Sequence, residues 1–194
     1  MMTLRRILAL GIVLALAGCA HSIVMTPDSH ALTADGLQPI HKNVGYYISA
    51  ENKAHEFTTP GGGGDKVSHY PYRDMEPGLY AVLSNVFADV TALKAANDVD
   101  TIRKKSISFV FVPTIVPMSS SDGVFTWPPT NFTVNLECVA YDVDGKQIGK
   151  KSVVGSGAAS FSEFKSNFGL SAQRASTDAL RKLQVELSNA PEFK

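Results

Sequence analysis

Hydrophobic and polar residues alternate most regularly between Phe132 and Tyr141. Phe132, Val134, Leu136, Cys138 and Ala140 take one parity, and Thr133, Asn135, Glu137, Val139 and Tyr141 take the other. That period predicts a strand with one buried face. Asp144-Gly145 behind it is a hairpin turn signal, so residues 147–156 are expected to return alongside. "VGYYISA", residues 44–50, is a β-branched and aromatic run and reads as another strand. "SISFVFVPTIVP", residues 106–117, is apolar on both parities: Ile107, Phe109 and Phe111 on one, Val110 and Val112 on the other. This fits a strand buried on both faces, or one widened by a partner layer. Pro113 and Pro117 lack a donor, which places the second half at an edge or outside the sheet.

Two segments carry the helical period. Leu79, Leu83, Val86, Phe87, Val90 and Leu93 recur at steps of three and four, with Asp74 suited to the N-cap and Pro77 to the first turn. Residues 167–188 repeat the pattern through Ala172, Ala175 or Ser176, Ala179, Leu180, Leu183 and Leu187. Strands with two long amphipathic helices predict an α+β fold: a two-layer sandwich, mostly antiparallel, with both helices on one face of the sheet.

The N-terminal pattern is of another kind. Arg5 and Arg6 precede an apolar run from Ile7 to Leu16 and then Ala17-Gly18-Cys19. Ten apolar residues are too few to span a bilayer, which takes roughly 20. With the basic start and small residues at the end, they read as an export signal. Leu16-Ala17-Gly18-Cys19 resembles the bacterial lipobox. That resemblance implies a signal peptide over 1–18, a lipidated Cys19, and a permanent membrane anchor from several acyl chains. Ala20 follows the cysteine where an Asp commonly marks inner-membrane retention, so the outer membrane is the expected destination, facing the periplasm. Residues 19–42 are polar, contain Pro27, Pro39 and Gly36, and read mostly as a flexible tether, although "SIVMTP" could add an edge strand. The remainder, 43–194, is then one periplasmic domain.

Charge excludes some partners. Residues 1–18 hold two of the 18 basic side chains and none of the 18 acidic ones, which leaves 16 against 18 and a formal charge of −2. No basic excess points to nucleic acid or to an anionic lipid surface. Cys138 is the one cysteine left besides Cys19, so no internal disulfide is expected.

The candidate chemistry is thin. "TTPGGGGDKVSHYPYRDMEPG", residues 58–78, contains Gly61, Gly62, Gly63 and Gly64, but Asp65 separates them from Lys66 and Val67 stands where a phosphate loop needs a hydroxyl. The expected reading is a flexible loop, or one whose backbone approaches a partner closely. Tyr70, Tyr72 and Arg73 behind it are candidate partner contacts, since Tyr and Arg are enriched at binding hot spots, as is the single tryptophan, Trp127. The alternative is that the tyrosines pack on the helix start and Arg73 pairs with Asp74. His21, His30, His41, His55 and His69 share no metal-ligand spacing, and neither a metal nor another cofactor is expected. "GSGAAS", residues 155–160, is the nearest approach to a nucleophile motif and has no base beside it. Cys138 lies on the inward parity and reads as a core residue. Residues 167–175 resemble the Asn-x-x-Leu-Ser-x-x-Arg-Ala helix start of OmpA-like peptidoglycan-binding domains, which would give Arg174 a ligand role, but the Thr-Asp pair of that family is absent upstream.

Together the lipobox, the Pro-containing tether and "FTVNLECVAYDVDGKQIGKKSVVGSGAASFSE" before a terminal helix resemble the small bacterial lipoproteins of the YajG type. The resemblance implies a compartment and a fold rather than an activity, and the glycine-rich segment is not part of that family's pattern. The expected function is a protein-binding accessory to envelope assembly, transport or an appendage. Its partners would be the membrane, through the lipid, and an envelope protein or a second copy of the chain. The alternative is a binder of a small molecule or glycan, peptidoglycan included, with Trp127 or Tyr72 as a stacking platform. An enzyme is not expected.

Overall fold

The computed structural model describes residues 20–123 and 127–194. Cys19 and the signal segment lie outside the described residues. Among the described residues eight strands form two sheets: β1 (Ala20–Ser22), β2 (Ile40–Tyr46), β3 (Phe57–Pro60), β4 (Lys66–His69), β5 (Phe87–Ala92), β6 (Ile107–Ser120), β7 (Asn131–Tyr141) and β8 (Gln147–Ala158). Five helices accompany them: α1 (Ala50–Ala54), α2 (Pro71–Val86), α3 (Val99–Lys104), α4 (Phe161–Phe164) and α5 (Leu170–Asn189). The main sheet runs β5-β2-β6-β7-β8 and the small one β1-β4-β3. The fold is the expected α+β sandwich, with α2 and α5 on one face of the main sheet.

The sheet is mixed. The hairpins β6–β7 and β7–β8 are antiparallel, whereas β2 lies parallel to both β5 and β6. Parallel neighbours require crossovers, and right-handed crossovers place the helix by the direction of travel. Moving from β2 out to β5 carries α2 on one face. Returning across β2 to β6 carries α3 on the other, where it covers Leu93, Ile107 and Val110.

Two sequence expectations need correction. The first helix ends at Val86, its N-cap is Tyr70 and not Asp74, and Phe87, Val90 and Leu93 belong to β5 and the residue after it. Steps of three and four continued past the true end because Phe87 and Val90 are buried at the same spacing on a strand, where "VFADVTA" has the β-branched and aromatic content that pairs well with β2. The second correction concerns the tether. Residues 20–42 are packed on the domain: Ile23, Met25 and Pro27 point inward in strict alternation, and Leu32 is also buried. Their polar backbone is strapped down by side chains of both helices. Met25 N–H donates to the Asp74 carboxylate (3.2 Å) and Asp28 N–H to Thr177 Oγ1 (2.9 Å). Asn85 and Gln184 amides donate to the Leu32 and Thr33 carbonyls (3.0 and 2.7 Å). An alternation three residues long, followed by proline and polar residues, is too short to stand out as a period.

Small residues set how closely α5 approaches the sheet. A Cβ on Gly155 would lie 2.1 Å from the Ala175 carbonyl oxygen, and one on Gly157 would lie 2.1 Å from that of Ser171. "GSGAAS" is therefore the track on which the Ala-rich face of α5 rests, not a nucleophile site.

Candidate functional site

The Tyr70–Asp74 segment opens α2, and Pro71, Tyr72 and Asp74 of it are buried. Tyr72 is buried, and its hydroxyl accepts the Ile115 N–H at 3.2 Å. The reason lies in β6. Phe111, whose carbonyl accepts from Tyr47, shows that the odd residues of β6 turn their backbone polar groups toward β2. Pairing with β2 stops at Phe111, so the N–H groups of positions 113, 115 and 117 would face an open edge. Two of those positions are proline and the third is capped by Tyr72. This fits the edge placement expected for the second half of β6, and it removes Tyr72 from the candidate contacts. Arg73 lies over the Tyr70 ring (4.1 Å to the centroid) and its Nε donates to Asp74 (3.1 Å). Asp74 is buried and also holds the Met25 N–H, so this constellation fastens the N-terminal strap to α2. Arg73 keeps an exposed side chain and Tyr70 a half-buried one.

Trp127 stands apart from these residues. Its ring stacks on His21 (4.1 Å between centroids) and meets Phe168 (4.7 Å). Its carbonyl accepts the Gly62 N–H at 3.1 Å, and a Cβ on Gly61 would lie 2.4 Å from that same oxygen. The glycine run is thus the β3–β4 turn, with Gly63 and Gly64 at positive φ and Gly61 N–H returning to the Asp65 carbonyl. Close backbone approach, one of the two sequence readings, accounts for Gly61.

The face of the main sheet opposite α2 and α5 is the surface that sequence reasoning did not single out. Beyond the cover of α3 it presents Val112, Thr114, Val116 and Met118 of β6, Asn135 and Glu137 of β7, and Ser152 and Val154 of β8. Val116, Met118 and Val154 are 44, 57 and 52% exposed. A shallow groove of about 340 Å³ runs between Thr114, Val116, Asn135, Glu137, Ser152 and Val154. The signal for it was the second apolar parity of β6, which the expected partner layer would cover.

The remaining reactive side chains have structural surroundings. Burial pushes the Cys138 thiol up to about 12. His69 is fully buried with no hydrogen-bond partner on either nitrogen among the described residues, wedged between Phe57 and Phe132, and desolvation lowers its pKa to about 4 against the pull of Asp74 and Glu56. Arg174 donates to the Ala158 carbonyl (2.6 Å) and to Glu163 (2.8 Å). One and two turns on, Asp178 accepts the Ser156 N–H and Lys182 donates to the Val154 carbonyl. These three side chains of α5 cover the outer edge of β8, which blunts an otherwise free strand. That is the work of the Arg in the peptidoglycan-like stretch. The Arg174 and Asp178 turns also border a groove of about 500 Å³ under the strap, with Asp28, Gln173, Thr177 and Arg181. Among the described residues no helix is long and apolar enough to cross a membrane.

The chain is similar in fold to PelC. The PelC dodecamer of Paraburkholderia phytofirmans superposes with a TM-score of 0.50 at 14% identity, over 81% of this chain and 95% of PelC. A Xanthomonas campestris protein of the DUF330 family follows the chain over 88% of its length and 92% of its own, at 12% identity and a TM-score of 0.48. No protein-family model matches the chain, and no curated protein matches it in sequence. At 14% identity the PelC likeness is one of fold.

Proposed function

We propose that this chain is a lipid-anchored, periplasm-facing lipoprotein of the outer membrane that works by binding a protein partner, as an accessory to envelope assembly, transport or an appendage, and not by catalysis. The observation that carries the binding role is the uncovered sheet face. Val116 and Met118 neighbour each other along β6, Val154 follows across Asn135 on β8, and all three stand about half exposed on regular strands; such side chains fit a surface that another protein covers. The anchor is supported by the lipobox ending at Cys19. The non-catalytic reading is supported by the structural duties found for Tyr72, Arg73, Asp74, Arg174 and Cys138. The protein met by this face is an envelope protein or a second copy of the chain; PelC is a dodecamer in the same fold.

The test is affinity capture from mildly solubilised membranes with native chain and with Val116→Glu/Val154→Glu, which alters the exposed face alone. A partner lost with the double variant supports the reading, and sedimentation velocity identifies self-association. A partner retained equally by both forms overturns the choice of face. Cys19→Ser should release the protein from membranes; retention would overturn the anchor. A second reading, glycan or small-molecule binding, rests on the groove under the strap, whose volume is within the range of ligand sites. Tyr72 is too buried to serve it as a platform. Co-sedimentation with purified peptidoglycan, lost in Arg181→Ala, would favour that reading.

A further inference from the structure

We infer that the end of the domain carrying His21, Val24, Trp127 and Phe168 is seated in the headgroup layer of the membrane that anchors Cys19, which fixes the orientation of the domain on the bilayer. The inference rests on the lipid-anchor reading above and adds where the folded part sits.

The first ground is the length of chain between lipid and fold. The lipobox assigns the lipid to Cys19, and β1 begins at Ala20, one peptide link or about 3.8 Å further on. β1 is not loose. Ala20, His21 and Ser22 pair in register with Lys66, Val67 and Ser68, and Ile23 N–H donates to the Ser68 carbonyl. The strap that follows is held by both long helices. No slack separates the acylated residue from the folded body, so the surface around Ala20 meets the bilayer whenever the anchor is inserted.

The second ground is the chemistry of that surface. Trp127 lies between the rings of His21 and Phe168. Phe168 is 45% exposed and Val24 50% exposed. Gly169 keeps them side by side, because it packs on the Val24 backbone where a Cβ would come within 2.3 Å of the carbonyl oxygen. Amphipathic rings beside exposed aliphatic groups partition to the membrane–water interface. Lys66, opposite Ala20 in the register, and Lys165, three residues before Phe168, are exposed and supply cations for anionic headgroups. Asp65, 3.6 Å from His21, is an acidic group at the same rim. Three apolar side chains cover far less than the roughly 800 Å² that a stable protein partner takes on one side. Their area suits shallow insertion beside a lipid anchor that already supplies the affinity.

Trp127 is the only tryptophan of the chain, so its fluorescence reports on this end alone. The acylated full-length protein would be reconstituted into phosphatidylethanolamine/phosphatidylglycerol vesicles, with and without bromine at carbons 6 and 7 of the acyl chains. Brominated lipid is expected to quench Trp127 emission at least twofold, and aqueous acrylamide to quench it several-fold less than in the soluble Cys19→Ser protein. Phe168→Glu and, independently, Val24→Glu should restore acrylamide access while the protein still floats with the vesicles and keeps its melting temperature. Protein that does not float overturns the anchor reading, and the seating with it. Protein that floats with Trp127 unquenched by bromine and open to acrylamide overturns the seating alone. So does Trp127 shielded from acrylamide by a co-purifying protein and not by lipid.

Discussion

Tyr72→Phe isolates one hydrogen bond in the core. The substitution keeps the ring against Phe57 and removes only the oxygen that accepts the Ile115 N–H at 3.2 Å. Ile115 is 2% exposed, and its N–H points to the side of β6 that β2 no longer reaches, so neither water nor a strand replaces the lost acceptor. A buried donor left unpaired costs about 1–3 kcal/mol. For a domain of this size each kcal/mol lowers Tm by about 2–4 °C, so a loss near 2 kcal/mol means a drop of roughly 4–8 °C. Calorimetry measures the drop, and hydrogen exchange at the Ile115 amide locates it, with faster exchange there than at its neighbours in β6. Tyr70→Phe, which keeps the ring beneath Arg73, is the silent control. A Tyr72→Phe protein that melts with the native one and protects Ile115 as before would refute the account of this edge, because the N–H would then be satisfied by another group.

Other substitutions probe other contacts. Gly155→Ala drives a Cβ against the backbone of α5 and should cost about 3 kcal/mol by overpacking; urea unfolding at the native midpoint would contradict the close helix–sheet approach. His69 carries a pH dependence. The unfolded side chain takes its proton near pH 6.5 and the folded one near 4, so stability falls as pH drops through that window, by on the order of 3 kcal/mol at its lower end. His69→Phe should flatten that part of the curve, and parallel curves for the two proteins would rule out His69 as its source. Gly61→Ala should displace the Trp127 carbonyl and shift the tryptophan emission maximum; an unaltered spectrum would place Trp127 elsewhere. Arg174→Ala should leave peptidoglycan co-sedimentation unchanged while loosening the outer edge of β8, seen as faster exchange near Ala158.

Much of the fold was legible where period and environment agree. β7 alternates because one of its faces is core, and α5 shows its stripe because it lies on one surface from end to end. The helical reading failed past Val86, where Phe87 and Val90 satisfy both a three-residue step and a strand. The strap failed for lack of length, and β3 and β4 because four-residue strands give too few positions for a pattern. The candidate contacts were harder. Tyr and Arg beside an acid look the same whether they meet a partner or bind a distant piece of their own chain, and the acceptor of Arg73 also takes an N–H from Met25, 49 residues away. The second apolar parity of β6 did carry information. It announced a surface wanting cover, though not which part α3 would supply.

The place of β2 in the sheet has a consequence for how the chain acquires its structure. β2 is an inner strand, yet both of its neighbours are built from residues that follow it, Phe87–Ala92 and Ile107–Ser120. In a chain that reaches its compartment amino end first, this aromatic, β-branched segment waits with two bare edges until Phe87–Ala92 has emerged, and with one still bare until Ile107–Phe111 follows. Parallel pairing at such separations is slow, because loops must close before contacts reward them. The interval between arrival and pairing is when the nascent molecule is most prone to join the wrong strand, so its yield should depend on a holding chaperone more than its finished stability suggests.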